Sequence, residues 1–152
     1  MTYRVLLAQP ADVVALRHAV LRPGKPVETA IFDGDQAPTT LHFVARDPND
    51  AIVGVVSYFA NQYTAMPQRS ALQLRGMATD ASLQRSGIGR ILVQASVQSL
   101  RERDLCDLIW CNARESAIGF YTRLGFFVDG APFYLPHVAE AHRTGVLDLR
   151  SL

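Results

Sequence analysis

The sequence has few cysteines, little net charge and no long apolar run, and each shortage excludes a class of protein. Its two cysteines, Cys106 and Cys111, lie five positions apart, which fits neither a disulfide framework nor a zinc site. We expect two buried free thiols in a reducing compartment and no bound metal. The apolar run at residues 5–8 is too short for a signal peptide, and no stretch approaches the roughly 18 apolar residues of a membrane span. The sequence therefore predicts a cytoplasmic protein that does not bind membranes.

The charges of the chain nearly cancel, with 15 Lys+Arg against 14 Asp+Glu and a net charge of +1. This balance gives no electrostatic reason to expect nucleic acid as a partner. The 152 residues are 49% hydrophobic, which is enough to form one core without disulfides or metals. We therefore expect a single domain over residues 1–152.

Hydrophobic periodicity and turn residues predict seven strands and three helices. The predicted strands are residues 3–8, 41–46, 51–60, 71–79, 107–112, 126–134 and 145–149. Asp12 is expected to cap a helix that ends near Arg22, and further helices are predicted at residues 88–103 and 115–124. Between the first helix and the second strand lies a long loop, residues 23–40, and loops of this length are more often functional than decorative.

The order of these elements predicts the fold class. Residues 71–112 form a strand–helix–strand crossover, so the two strands that flank the central helix should be parallel. The other neighbours are hairpin-like and should be antiparallel. We expect an α/β (α+β) protein with a mixed, mostly antiparallel central sheet flanked by helices.

The strongest chemical signal is the hexapeptide Gln84-Arg85-Ser86-Gly87-Ile88-Gly89, placed between a strand and a buried helix. Its glycines let the backbone approach a ligand closely, and a helix start presents free N–H groups that suit phosphate. A dinucleotide fingerprint would need glycine where Leu92 stands, and a Walker A loop would need a nearby lysine. The hexapeptide alone favours a phosphate site no more strongly than a glycine-rich turn without a ligand.

The surrounding residues resemble the GNAT (GCN5-related N-acetyltransferase) superfamily. The family's signature Gln/Arg-x-x-Gly-x-Gly/Ala is matched by residues 84–89, and the resemblance covers residues 71–127. The matching segments are Gly76-Met77-Ala78-Thr79 before the hexapeptide, and Asn112-Ala113-Arg114, Ala117, Phe120-Tyr121 and Leu124-Gly125-Phe126 after it. The resemblance implies a sheet whose parallel fourth and fifth strands splay apart, and it implies acetyl-CoA as cosubstrate.

What the resemblance implies for the cosubstrate can be assigned residue by residue. The pyrophosphate would lie on the amides that open the central helix, and the pantetheine would pair with the fourth strand. The implied binding residues are Met77, Ala78, Thr79, Gln84, Arg85, Ser86, Gly87, Ile88, Gly89, Arg90 and Asn112. For Asn112 a second interpretation stays open, as N-cap of the following helix with Glu115 three residues on.

Tyr121 is the implied catalytic residue. Acetyl transfer expels a CoA thiolate, and a phenol near the sulfur can protonate it as general acid. The alternative is a core aromatic side chain beside Phe120.

The general base is open. The family often has a glutamate on the fourth strand where this chain has Arg75, and a guanidinium cannot act as a base. Arg75 could instead hold a carboxylate or phosphate of the acceptor, or it could be a solvated strand residue. The candidates for the base are Glu28, Asp33, His42, His137, His142 or water.

These residues together predict an N-acetyltransferase that transfers acetyl directly to a primary amine in a ternary complex. Neither cysteine matches a family nucleophile, which argues against an acyl-enzyme. The acceptor is expected to be a small molecule, with a peptide as the alternative, and a homodimer is possible. The competing hypothesis is a GNAT-shaped domain that binds CoA as a sensor or scaffold without turnover.

Overall fold

The structure is a computed structural model that describes residues 2–151, and a single seven-stranded sheet runs through it. The strand order across the sheet is β1-β2-β3-β4-β5-β7-β6. The strands are β1 (Arg4–Ala8), β2 (Leu41–Arg46), β3 (Ile52–Ala60), β4 (Ala71–Thr79), β5 (Leu108–Arg114), β6 (Phe127–Phe133) and β7 (His142–Asp148). The α-helices are α1 (Pro10–Leu21), α2 (Ile88–Glu102) and α3 (Ile118–Arg123), and three short 3₁₀ turns lie at Val27–Ala30, Ala81–Leu83 and Glu115–Ala117.

The predicted fold class is confirmed. β4 and β5 are parallel, and every other neighbouring pair in the described sheet is antiparallel. The parallel pair follows from α2, because a crossover helix returns the chain to the same end of the sheet.

The sheet is covered on both faces, and successive residues of β2 show how. Phe43 and Ala45 belong to the larger core, with the inner face of α2. Val44 points to the opposite face and packs with Val13 of α1. The alternation of side chains along a strand thus places α1 and α2 on opposite sides. Within the described residues, no helix is long and apolar enough to cross a membrane.

Four element boundaries differ from the sequence prediction by more than one residue. Helix α1 begins at Pro10 with Gln9 as N-cap, and Asp12 lies inside its first turn, where its carboxylate accepts the Gln9 N–H at 2.8 Å. Proline at a first helical position leaves no N–H unsatisfied, so it starts a helix as readily as it ends a strand. β5 runs on to Arg114 and β7 begins at His142, because these two residues pair with each other. The third helix therefore starts as a 3₁₀ turn.

Candidate active site

The site begins where β4 and β5 part. The two strands pair only from Ala71 with Leu108 to Gln73 with Trp110. Beyond this point both continue without pairing to each other, β4 to Thr79 and β5 to Arg114. A cavity of about 300 Å³ opens between them. The splay implied by the family resemblance is therefore present.

A β-bulge in β4 accompanies the divergence. Ser57 pairs with Arg75 and Val55 with Ala78, so Gly76 and Met77 together face a single residue of β3. Gly76 has φ +66°, and a Cβ at this position would lie 2.8 Å from Arg17 Nε. Both the backbone conformation and the space therefore require glycine here. A bulge bends its strand and raises its twist, which directs β4 away from β5.

The N-terminus of α2 is open to an anion. Its N-cap is Gly87 in the left-handed conformation, no side chain caps the helix, and no acidic residue lies in its first turn. A Cβ on Gly87 would meet nothing within 4 Å, so the approach to these N–H groups is free. Aligned peptide dipoles give such an end partial positive charge. Arg85 and Arg90 line the cavity that lies at this end of the helix.

Three neighbouring cavities share lining residues, and we refer to the three together as the channel. The first, of about 420 Å³, lies at the start of α2 and includes Thr79 and Gly89 in its lining. It shares Met77 and Phe120 with the cavity between β4 and β5. That cavity in turn shares Arg75 and other β4 residues with a third cavity of about 340 Å³. A long ligand could therefore reach from the helix N-terminus, between the strands, to the far opening.

Most of the other residues predicted to bind the cosubstrate line the first cavity: Arg85, Gly87, Ile88, Gly89 and Arg90. The side chain of Ala78 instead packs in the smaller core beneath α1, with Val13 and Val44. Gln84 and Ser86 lie in the same loop, where the Ser86 hydroxyl donates to the Leu83 carbonyl. The structure thus brings Arg85 and residues 87–90 together around one opening and leaves Gln84 and Ser86 outside its lining.

Tyr121 lies inside the channel. It is 8% exposed, lines the central cavity, and directs its hydroxyl at the Met77 sulfur 3.9 Å away. Its ring contacts Phe120 and Phe126 edge to face, with centroids 5.0 and 5.4 Å away. Burial raises the pKa of Tyr121 far above its ordinary value. The phenol is therefore protonated at physiological pH and free to donate to a group placed in the cavity.

Asn112 lines both the central and the third cavity. Its Oδ1 accepts a long hydrogen bond of 3.4 Å from the Thr144 hydroxyl. The alternative of Asn112 as a helix N-cap is wrong, because β5 continues to Arg114, which itself precedes the 3₁₀ turn.

The five side chains considered as general base do not meet in the channel. None of Glu28, Asp33, His42, His137 and His142 lines any of the three cavities. His42 is 2% exposed, and its ring nitrogens lie 2.6 Å from Ser57 Oγ and 3.0 Å from the Asp35 carbonyl. A network of this kind gives His42 a structural role. Water, the sixth candidate, needs no side chain in the channel.

A buried ion pair that the sequence does not reveal lies beside the site. Arg17 binds Asp35 through two hydrogen bonds of 2.7 and 3.0 Å, and both side chains are at most 2% exposed. Asp35 also accepts the Phe32 N–H at 2.9 Å. Burial by itself would raise the pKa of Asp35, but the hydrogen bonds from Arg17 and Phe32 and the nearby positive charges bring it below its ordinary value. No sequence pattern marks this pair, because Arg17 lies on α1 and Asp35 lies 18 residues further on, in a loop.

This ion pair fixes Phe32 at the mouth of the third cavity. The guanidinium carbon of Arg17 lies 4.0 Å from the Phe32 ring centroid, and those of Arg75 and Arg22 lie at 4.9 and 5.8 Å. The long loop therefore forms one wall of the channel, on the side away from the helix N-terminus.

Comparison with known proteins places the chain in a family. Residues 13–126 match the model of the Acetyltransferase (GNAT) family. The chain is 30% identical over 130 residues to the N-acetyltransferase YitI of Bacillus subtilis strain 168, itself uncharacterized, and the match covers 85% of each chain.

Solved structures share the fold. Escherichia coli ElaA superposes with a TM-score of 0.75 at 13% identity over 97% of this chain and 100% of its own. A chimera of the Vibrio cholerae spermidine N-acetyltransferase SpeG and hSSAT gives 0.75 at 11% identity over 99% and 98%. With a family model over most of its length and a relative at this identity, the chain belongs to the GNAT family of acetyltransferases, and it is an N-acetyltransferase.

Proposed function

We propose that this enzyme transfers an acetyl group from acetyl-CoA directly to a primary amine of a small molecule, within a ternary complex. The observation that carries the proposal is the channel between β4 and β5, which joins an uncapped helix N-terminus to a second opening. Two substrates can then enter from opposite ends and meet beside Tyr121.

The cosubstrate fits the first two cavities by its chemistry. Its pyrophosphate would accept hydrogen bonds from the amides of residues 85–90 and charge-assisted bonds from Arg85 and Arg90. Its pantetheine would add to the edge of β4 that β5 leaves unpaired, with backbone groups of Met77, Ala78 and Thr79 as partners. Asn112, across the gap, offers a side-chain amide. The thioester would then lie near Tyr121.

Tyr121 would act on the leaving group. The amine nitrogen forms a bond to the carbonyl carbon, the carbon–sulfur bond breaks, and the phenol gives its proton to the departing thiolate. A backbone N–H of β4 polarises the thioester carbonyl. The proton lost by the amine leaves through water, from which the phenolate is reprotonated.

An acyl-enzyme is disfavoured by the state of the thiols. Cys111 lines the central cavity, but burial raises its pKa to about 12. Cys106 does not line the channel, and burial raises its pKa to about 11. Thiolates are the nucleophilic form of cysteine, so neither side chain is activated at neutral pH. The same pair of reduced thiols supports a cytoplasmic location.

The acceptor named for a structural neighbour does not transfer to this chain. The spermidine N-acetyltransferase chimera shares the fold at 11% identity, and similar folds host different substrates. We keep a small-molecule amine as the proposed acceptor.

One observation bears on the alternative that the sequence raised, a CoA sensor without turnover. No carboxylate or imidazole of the described residues lines the three cavities, so the chain supplies no side-chain base there. Two measurements separate the hypotheses. Calorimetric titration with CoA tests binding, and release of free CoA thiol from acetyl-CoA across a panel of amines tests turnover.

For direct transfer we expect CoA binding, amine-dependent thiol release and intersecting lines in double-reciprocal plots. Binding without thiol release from any amine would support the sensor. Absence of CoA binding would contradict both hypotheses.

A further inference from the structure

The third cavity, on the acceptor side, carries positive charge and no negative charge. Its lining includes the guanidinium groups of Arg22 and Arg75, together with the apolar side chains of Leu21, Phe32 and Leu135. No aspartate or glutamate is part of this lining. The central cavity, which contains Tyr121, is also lined by Arg75. A ligand bound beside the phenol therefore faces a guanidinium.

Neither of these arginines forms an ion pair within residues 2–151, and Asp35 and Asp33 act on Arg75 only at longer range. Arg75 has no carboxylate within ion-pair distance there; its guanidinium carbon lies over the rings of Phe32 and Phe59 at 4.9 and 5.2 Å. Arg22 donates one hydrogen bond of 3.1 Å to the Leu21 carbonyl. Among nearby acids, Asp35 is already bound by Arg17, and Asp33 is exposed and lies outside the lining.

The position of this charge is fixed rather than adjustable. Phe32 is held by its N–H bond to Asp35, and Asp35 is held by Arg17. The guanidinium of Arg75 in turn stacks over the Phe32 ring. A guanidinium whose apolar face is stacked keeps its N–H edge for other partners, and a planar fork of donors suits carboxylate or phosphate.

We propose that the acceptor is an amine that also carries an anionic group, a carboxylate or a phosphate, and that Arg75 and Arg22 bind this group beside the acetyl-transfer site. The proposal rests on the proposed function and names the substrate class of the same site. The apolar side chains in the lining suit a small aliphatic or aromatic body between the amine and the anion.

The positive charges of Arg22 and Arg75 also favour loss of the acceptor's amine proton, for which residues 2–151 supply no side-chain base in the cavities. Two guanidinium groups near an ammonium disfavour its charged form. An acceptor anchored by its anion would thus lose its amine proton to water more easily than it does in bulk solution. Polycations such as spermidine would be repelled from this opening.

The experiment compares pairs of acceptors that differ in the anion, with kcat/KM expressed per concentration of unprotonated amine, because the anion also raises the pKa of the amine. Leucine is paired with leucinamide, and phosphoethanolamine with ethanolamine, so that the two pairs distinguish carboxylate from phosphate. Thiol release from saturating acetyl-CoA gives kcat/KM for each. Calorimetry of N-acetylleucine and N-acetylleucinamide on the CoA complex gives binding without turnover. We expect the anionic member of at least one pair to be favoured about 10- to 100-fold, as is typical of one charged hydrogen-bonded contact.

Variants assign this preference to its residues. Arg75→Gln and Arg22→Gln should each reduce the preference about 10-fold or more, while the affinity for CoA stays unchanged. Arg75→Lys should retain part of it. The matched control is Arg4→Gln. It removes the guanidinium of a β1 residue that forms an exposed ion pair with Asp50, and it should leave the preference intact.

The outcomes also separate this proposal from the proposed function. Loss of CoA binding by the wild type would refute the proposed function. If CoA binds, then equal kcat/KM for both members of each pair, together with equal binding or equal absence of binding of N-acetylleucine and N-acetylleucinamide, would overturn the anionic acceptor. A preference for spermidine would overturn it too. A preference that survives both arginine substitutions would overturn it as well.

Discussion

Replacement of Tyr121 by phenylalanine tests the chemistry of the site with little disturbance of its structure. The change removes one oxygen from a side chain that is 8% exposed. Within residues 2–151 the hydroxyl has one hydrogen-bond partner, the Met77 sulfur at 3.9 Å, and thioether sulfur is a weak acceptor. The ring contacts with Phe120 and Phe126 remain. We expect the free energy of unfolding to fall by less than about 1 kcal/mol.

The effect on catalysis should be much larger. A positioned general acid contributes about 10²- to 10⁴-fold to the rate, which equals about 3–5 kcal/mol of activation free energy. The assay is thiol release under saturating acetyl-CoA and acceptor, with the dissociation constant of CoA measured separately. We expect kcat to fall by at least about 100-fold, with CoA affinity changed by less than about threefold, because the phenol acts on the transition state rather than on bound CoA.

Tyr58 provides the matched control. It is fully buried, its hydroxyl lies 2.7 Å from Ser96 Oγ, and it lines none of the three cavities. Tyr58→Phe should lower stability by about 1 kcal/mol and leave kcat within about twofold of the wild type. A Tyr121→Phe enzyme with wild-type kcat, or equal losses in the two variants, would refute the role of Tyr121 as general acid.

Three further predictions concern phosphate binding, stability and the thiols. Gly87→Glu should abolish CoA binding, measured by calorimetry, because Gly87 lies at the start of α2. Gly130→Glu is the control and should leave CoA binding unchanged: its φ is also near +86° and its Cβ also has open space, but it lies far from that helix end in the chain. Equal CoA affinities of the two variants would place the phosphates elsewhere. Asp35→Asn should lower the free energy of unfolding by about 3–5 kcal/mol at pH 7, because it leaves the buried Arg17 charge uncompensated. The folded-state pKa of Asp35 lies below its ordinary value. The difference in unfolding free energy between wild type and variant, measured by urea denaturation, should therefore be full above about pH 5 and shrink as the pH falls below the unfolded carboxyl pKa of about 4. A difference that grows on acidification would contradict this role of the ion pair. Burial of Cys106 and Cys111, with pKa values of about 11 and about 12, predicts no labelling by iodoacetamide at pH 8 without urea and no acetyl adduct by mass spectrometry after incubation with acetyl-CoA alone.

The sequence predicted those parts of the fold that depend on local patterns. The strands, the central helix and the parallel pair were recoverable because side-chain periodicity and a crossover helix fix them. The start of α1 was misplaced because Gln9 is an uncommon N-cap and Pro10 suits both a strand end and a helix start. The extra residues of β5 and β7 depend on the pairing of Arg114 with His142, which no local pattern records.

The candidate site divides in the same way. The glycine-rich start of α2 could be found from six consecutive residues, and Tyr121 from the resemblance. Arg75 and the long loop were candidates from the sequence, but the acceptor side as a whole could not be predicted, because it brings together residues from α1, the long loop, β4 and β5. Arg17 has the sequence signature of a solvated helical residue, yet the structure buries it completely against Asp35.

The bulge at Gly76 connects the two halves of the channel. The missing side chain leaves room for Arg17 and Phe32, whose atoms lie 2.8 and 3.0 Å from where a Cβ would be. The same residue sets the path of the strand edge assigned to pantetheine. Attempts to redirect the enzyme to new amines should accordingly keep positions 17, 35 and 76 constant and vary 22, 32 and 135 instead. A methyl group at position 76 would disturb both substrates at once.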